Sequence, residues 1–568
     1  MVVLGINNMH DASAAIVIDG KLIAAAEEER FTRRKHHVGF PANAIKYCME
    51  EAGVTFGDLD DVAVSWRPWV LKTRAFNALK SIAFSPKAFQ SKASRGIGQM
   101  GNEWRELFML KGILIRDFGK GKFKLHYIDH HLSHAVSAYY VSPYERAAIL
   151  TVDGAGEENT TVFWIGEGND IRQIKSIRLP HSLGQFYAAV TGFLGFKPQS
   201  DEYKVMGMAS YGEPRYVDLF KEKAVHLCED GTFRLNPGFI DYHLAREGVF
   251  LEGTIKVLGK NRLQGEEITQ RHMDIAKSAQ VVTEEILFHM ANHLYKETKM
   301  DSLCLAGGVA LNCVSNGKLF DNTPFRRIFV QPAAGDAGTA IGAALHVYHK
   351  KSGAPRSYSM KDAYLGPSYS NQRCIDALKT FGLRYQELTN DELCIKVANL
   401  LSLGKLVCWF QGRMEWGPRA LGNRSLLADP RRADMKEIIN LKVKQREAFR
   451  PFAPSVLEER SSEYFGNPVP SPFMLFAFKV NQEKMKDIPA VTHVDGTARP
   501  QTVNKETNPL YWSLIKEFEN LTGVPILLNT SFNVQEPIVC TPEDAIRSFL
   551  KTKVDCLALN NLLVEQSR

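Results

Sequence analysis

Several groups of residues in the 568-residue chain have types and spacings suited to chemistry. Asp129-His130-His131-Leu132-Ser133-His134 predicts the start of a helix, with Asp129 as N-cap and Ser142-Pro143 as the stop. His130 and His134 stand four apart and share one helical face, while His131 points elsewhere. By this spacing a helix presents two imidazole nitrogens to one metal, whose shell carboxylates would complete. The same spacing also serves two separately hydrogen-bonded histidines. Candidate carboxylates follow apolar runs: Asp153 closes AAILTVD just before Gly154, and Asp336 sits in AAGDAG at a helix start. In α/β sheets ligands gather at the carboxyl ends of strands, which would aim both aspartates at one cleft. An N-cap role suits Asp336 equally.

His10-Asp11 follows the first apolar run. A histidine there titrates near neutrality and serves either as a general base or as a loop cap paired with its aspartate. Lys35, in FTRRKHH, is either a cation for developing negative charge or part of a solvated face. Gly154 in GAGEEN and Gly307-Gly308, with Asn312 one turn into a helix, predict loops whose backbone N–H groups approach phosphate. None has GxGxxG or GxxxxGK spacing, which disfavours Rossmann and P-loop readings. From Arg413 to Arg450, ten Lys/Arg accompany five Asp/Glu, with Gly, Pro and aromatics between them. That punctuation around Arg419, Arg424 and Arg450 predicts fixed backbone near an anion. Asn529-Thr530-Ser531-Phe532-Asn533, after the apolar VPILL, predicts a polar loop at a strand end.

The elements that must position these groups repeat. VVLGIN, polar NMHD and ASAAIVIDGKLIAAAEEERF predict strand, loop, strand, a turn at Asp19-Gly20, and strand. AAILTVD, GAGEEN and TTVFWIGEGNDIRQIKSIRL repeat the pattern, with a turn between Gly166 and Asp170. A duplicated α/β domain over residues 1–349 is the expectation, followed by a polar Gly/Pro linker, 350–369. Residues 370–568 predict a second mixed α/β domain, with KLVCWF and CLALNNLLV as strands.

Composition narrows the function classes. The formal charge is +7, but Pro68–Lys124 holds twelve Lys/Arg against three Asp/Glu, net +9, leaving −2 elsewhere. No RNA-binding motif accompanies either basic stretch, so a nucleic-acid partner is not expected. Nine scattered cysteines without a CxxC pair, and a beginning that reaches His10 and Asp11 too early for a signal peptide, predict a cytoplasmic protein. No uncharged apolar run approaches bilayer length, so no membrane partner is expected. A homodimer is the base-rate assembly.

Together the duplicated hairpin, the Asp-Gly loop, GGVALN and AAGDAG resemble the actin-like ATPase (ASKHA) superfamily. DHHLSHA resembles its metal-dependent branch, which contains the tRNA threonylcarbamoyl-transferring proteins. HDASAA, EEERFTRRKH, DHHLSHA, VDGAGE, YKVMGMASYG and GGVALN, in that order, resemble the NodU/CmcH O-carbamoyltransferases, whose members carbamoylate Nod factors, cephems and aminoglycosides such as tobramycin. The resemblance implies Fe²⁺ or another divalent metal held by His130, His134, Asp153 and Asp336. It also implies that His10 takes the proton of an acceptor hydroxyl, with Lys35 nearby. A C-terminal YrdC-like domain would bind carbamoyl phosphate and ATP with Mg²⁺ through Arg419, Lys444, Arg450, Arg499 and Ser531, with Lys442 competing for the place of Lys444. The implied reaction makes carbamoyl adenylate in that domain and carbamoylates a small-molecule, natural-product hydroxyl in the N-terminal one. The +9 segment, between the two hairpins, is where acceptor specificity would be built. An actin-like sugar kinase would leave the HxxxH pair and the basic C-terminal stretch unused, and a nucleotide-driven binding protein would dock its partner on the basic 68–124 segment.

Overall fold

A computed structural model describes residues 1–70, 99–466 and 469–566; residues 71–98 of the +9 segment lie outside the described residues. The chain divides into two compact units, Met1–Glu28 with His36–Met360, and Glu29–Lys35 with Lys361–Arg568. Both are α/β.

The first unit contains one topology twice. Strands β1 (Val2–Asn7), β2 (Ser13–Ile18), β3 (Lys21–Glu27), β4 (Asp61–Val64) and β5 (Lys124–Tyr127) form a sheet of order β3-β2-β1-β4-β5. Strands β6 (Arg146–Val152), β7 (Asn159–Glu167) and β8 (Asp170–Arg178), with β11 (Ser302–Ala306) and β12 (Arg327–Val330), form the order β12-β11-β6-β7-β8. In each sheet the first three strands are antiparallel and the last two run parallel to the first. Asp19 and Gly20 both have positive φ, as the tight β2–β3 hairpin turn demands. A small hairpin, β9 (Val225–Leu227) and β10 (Phe233–Leu235), lies in the insertion before β11. Matching strand order and direction in both halves is the duplication that the actin-like resemblance implies.

Two glycines set how closely the helix Thr339–Ser352 approaches its neighbours. Gly5, in β1, faces Ala340 of the helix Thr339–Ser352, and a Cβ there would overlap the Ala340 carbonyl oxygen. Gly342, on that helix, lies against the helix His130–Tyr139, where a Cβ would overlap the Ser133 carbonyl oxygen. Gly342→Ala is therefore expected to push the two helices apart and cost about 1–3 kcal/mol, checked by chemical denaturation.

The stretch 350–369 is not a uniform linker. The helix runs on to Ser352. Beyond it, Arg356 donates to the carbonyls of Tyr139 (2.6 Å) and Tyr144 (2.5 Å), and the Met360 N–H donates to Val141 O, so 356–360 is held in the first unit. Residues 363–367 pair with Met414 and Trp416 in the second.

That unit is built on a mixed sheet of order β13-β22-β21-β14-β15-β20-β16-β19. Its strands are β13 (Gln386–Glu387), β14 (Val407–Phe410), β15 (Arg424–Ala428), β16 (Ala453–Leu457), β19 (Gln501–Val503), β20 (Ile526–Ser531), β21 (Cys556–Leu559) and β22 (Leu562–Glu565). A separate pair, β17 (Phe478–Lys479) and β18 (Thr497–Ala498), follows β16. CLALNNLLV, expected as one strand, is the β21–β22 hairpin, turned at Asn560 with φ 51°. Glu29–Lys35 enters this unit through Phe31, packed on Met414, Ala420, Ile538 and Cys540. Arg30 donates to Gly417 O (2.9 Å), and Arg33 to Ile538 O (2.7 Å) and Pro537 O (2.5 Å). Among the described residues no helix is long and apolar enough to cross a membrane.

Candidate active site

Asp129 caps the helix His130–Tyr139 as expected, its Oδ1 accepting from Leu132 N at 2.9 Å. The cap starts the helix so that His130 and His134 project one turn apart. Asp153 reaches the same point from the end of β6, and Asp336 from the short turn that opens the helix Thr339–Ser352. One ligand atom from each of the four residues lies within 4.8 Å of the others. The two Nε2 atoms are 3.1 Å apart; His130 Nε2 is 3.6 Å from Asp153 Oδ2 and from Asp336 Oδ1, and His134 Nε2 is 3.7 Å from Asp336 Oδ1. Both imidazoles are buried.

The electrostatics suit a cation. Burial, followed by the charge of Asp153, raises Asp336 to about 7. Burial works against Asp153 too, but His130 at 3.6 Å, His134 and the Gly308 N–H hold it well below the usual carboxylate range. Burial also lowers His134, which favours the neutral imidazole that ligates metal. Two imidazole nitrogens facing each other, with two carboxylates splitting apart in proton affinity, fit a divalent transition metal. His131 is occupied elsewhere: Nε2 faces Asn159 O at 3.0 Å, so it donates, and Nδ1 meets Thr151 Oγ1 at 2.9 Å. Burial, then the neighbouring histidines, depresses it to about 4.

The glycine loops serve this cluster. Gly307 has φ +93° and lies where a Cβ would overlap the Val152 carbonyl oxygen, while Gly308 N–H donates to Asp153 Oδ1 at 2.8 Å. Gly154 accepts from Ser182 Oγ at 2.6 Å. Asn312 is not one turn into a helix. A short 3₁₀ turn, Gly308–Leu311, intervenes, and Asn312 is the N-cap of Cys313–Asn322. Its amide accepts from Ser315 N and pairs reciprocally with Gln280.

His10 and Asp11 are joined by a residue the sequence reading missed. Asp11, at φ 53°, places one carboxylate oxygen 3.2 Å from His10 Nδ1 and the other 2.8 Å from His36 Nδ1; the two rings stack at 5.3 Å. Burial opposes protonation of His10, but Asp11, with Asp336 and Asp153 beyond it, raises it to about 9. Lys35, grouped with His10 by sequence, belongs to the second unit, because Arg30, Phe31 and Arg33 hold Glu29–Lys35 there. Its charge acts on Lys444.

Lys444 ends a π-helical turn, Ile439–Lys444, of the kind that often marks functional sites. It is buried while Lys442 is exposed, which separates the two alternatives physically. Its Nζ donates to Asn533 O (2.8 Å), Asn533 Oδ1 (2.9 Å) and the Ser531 carbonyl. Burial, then Arg446 and Arg450, with Lys35 further off, hold its ammonium well below the usual lysine range. Lys444, Arg450 and Ser531 are thus brought together. Arg419 and Arg499 lie on separate loops, and the buried Nε of Arg499 lacks a hydrogen-bond partner among the described residues. Such an orphaned donor suits an anion.

Two expectations change here. Arg424 is fully buried and stacks on Phe410 at 3.6 Å, its guanidinium donating to the carbonyls of Gln411, Asn423, Pro367 and Gly412. It braces turns and is not available to an anion. Asn529 and Thr530, expected in a polar loop, lie in β20, where Asn529 bonds Ala420 O, Ser455 Oγ and Gln501 Oε1. The loop begins at Phe532.

Two family descriptions match the sequence: carbamoyltransferase N-terminus over residues 2–345 and carbamoyltransferase C-terminus over 398–566. An uncharacterized protein of Synechocystis sp. is 44% identical over 603 residues, covering 100% of this chain and 97% of its own. Nodulation protein NolNO of Sinorhizobium fredii is 40% identical over 567 residues, covering 98% and 79%. Among solved structures, full-length HypF in its phosphate- and nucleotide-bound form is similar at 14% identity and a TM-score of 0.32, covering 63% of this chain and 56% of that chain.

Proposed function

The chain belongs to the carbamoyltransferase family, and from that premise we propose that it is an ATP-dependent O-carbamoyltransferase acting in two stages. In the second, YrdC-like unit, water splits carbamoyl phosphate into carbamate and phosphate. Carbamate then attacks the α-phosphorus of Mg²⁺-bound ATP, giving carbamoyl adenylate and pyrophosphate. In the first, actin-like unit, the hydroxyl of a small natural product attacks the carbamoyl carbon, AMP leaves, and His10 receives the proton.

The observation that carries this reading is the presence of two sites of opposite character. Lys444 is buried among Lys35, Arg446 and Arg450, an environment suited to carbamoyl phosphate and the ATP phosphates. The first unit instead gathers two carboxylates and two imidazoles. A divalent metal such as Fe²⁺ held by His130, His134, Asp153 and Asp336 would supply Lewis-acid polarisation of the adenylate phosphate. Gly308 N–H and the cap at Asp129 fix two of the elements that carry those ligands. A sugar kinase would use neither site.

His10 must lose its own proton before it accepts one. Held at about 9 beside Asp11, it is increasingly available as pH rises, so transfer climbs with pH. Asp11→Asn removes the charge that most raises His10 and leaves burial, which lowers it. The rising limb is therefore expected to move to lower pH, measured as transfer from supplied carbamoyl adenylate. An identical profile in both proteins would remove His10 as the base.

The overall reading is tested with purified protein, labelled carbamoyl phosphate and Mg²⁺-ATP, following AMP and carbamoyl adenylate by chromatography. Formation of both is expected to require carbamoyl phosphate. AMP formed equally well without it would overturn the proposal.

A further inference from the structure

Arg67, three residues beyond β4, ties together the elements that bring in three of the four candidate metal ligands. Its Nη2 donates to Asp129 Oδ2 at 2.5 Å. Its Nε donates to Glu157 Oε2 at 2.8 Å, where Nη2 also bonds, and its backbone N–H donates to Glu157 Oε1 at 2.8 Å. Asp129 caps the helix carrying His130 and His134. Glu157 lies in the loop between β6 and β7, four residues past Asp153, and is only 3% exposed. Within the same loop a Cβ on Gly156 would come within 3.0 Å of the His130 ring and 2.7 Å of His131, so the loop has no slack against the helix.

We propose that Arg67 is a positioning residue for the metal cluster, its one guanidinium setting the separation of the Asp153 loop from the helix His130–Tyr139. The inference rests on reading the cluster as a metal site. Without the guanidinium the hydrogen bonds that join Glu157 to Asp129 through one side chain are lost, and buried Glu157 has little water to replace them. Burial, with the charge of Asp129, already raises Glu157 to about 7 while Arg67 is present. The loop is then expected to swing outward and take Asp153 with it. Lysine brings a point charge that reaches one carboxylate and cannot fork to both.

Co²⁺ alone, titrated into the full-length chain, reads both affinity and geometry through its visible d–d absorption. Wild type is expected to bind it and His130→Ala to fail. Arg67→Met should bind about 10–100-fold more weakly with an altered band, Arg67→Lys should recover part of the loss, and pyrophosphate release on carbamoyl adenylate formation should be unchanged in both. Thermal unfolding without metal shows whether Arg67→Met is folded. Glu157→Gln, which removes one charge and keeps the shape, carries the test if Arg67→Met does not fold, and should also weaken binding. Wild-type affinity and an unaltered band in the folded variants overturn the clamp and leave the metal reading intact. Failure of wild type itself to bind Co²⁺ overturns the metal reading and the clamp with it.

Discussion

His130→Ala is expected to lower carbamoyl transfer by about 10³-fold or more, equivalent to roughly 4 kcal/mol of barrier, while leaving carbamoyl adenylate and pyrophosphate formation near its original rate. His130 Nε2 stands at the centre of the cluster, 3.1 Å from the His134 nitrogen and 3.6 Å from each aspartate. Removing it deletes one ligand. It also strips Asp153 of the neighbour that most strongly holds it ionised and leaves two carboxylates facing each other. The ring packs on Trp66 at 4.1 Å, so alanine also opens a cavity. His130→Asn fills more of that space and should lose transfer equally. Bound metal by elemental analysis, transfer from supplied carbamoyl adenylate, and pyrophosphate released on adenylate formation separate the effects. Wild-type transfer in a protein that has lost its metal would sink the assignment.

Lys444→Met is expected to do the reverse, cutting AMP formation by about 10²-fold or more and sparing transfer from supplied adenylate. The ammonium satisfies the Ser531 carbonyl, Asn533 O and Asn533 Oδ1. Each acceptor left buried and unpaired costs about 1–3 kcal/mol, so the loop after β20 must shift and the melting temperature fall. Lys442→Met, at an exposed position, serves as the control and should change neither rate. Proton linkage gives a second readout. Burial and the positive charges of Arg446, Arg450 and Lys35 disfavour the charged form of Lys444, and an arriving anion relieves that repulsion. Carbamoyl phosphate binding should therefore take up a proton and weaken as pH rises, which calorimetry in buffers of different ionisation heat detects. If Lys444→Met makes AMP at the wild-type rate, the second-unit site lies elsewhere.

Much of the first unit was legible because its signals are local. An i, i+4 histidine pair behind an aspartate cap can form only one arrangement on a helix, and an Asp-Gly turn between apolar runs forces a hairpin. Asn312 and Arg424 carry a local signal that does not separate two roles. A polar residue beside glycines looks alike whether it meets a ligand or a backbone group, and only packing shows that Asn312 caps a helix and Arg424 braces four carbonyls. His36 and Arg67 gave no local signal. One lies in a run of basic residues and the other precedes a proline, and each acquires its role from a carboxylate far away in sequence.

The sequence by itself carried the family and the duplicated α/β plan, because each rests on short local motifs in a fixed order, and through that resemblance it named four candidate ligands. Tertiary structure decided which groups share a site. It brought Asp153 and Asp336 to the histidines across gaps of 19 or more residues, the helix after Asp336 packing closely on β1 at Gly5 and on the histidine helix at Gly342. It also assigned Lys35 to the second unit, where its charge acts on Lys444. Spacing in sequence left both placements open, and the packing of Phe31 with the hydrogen bonds of Arg30 and Arg33 chose between them.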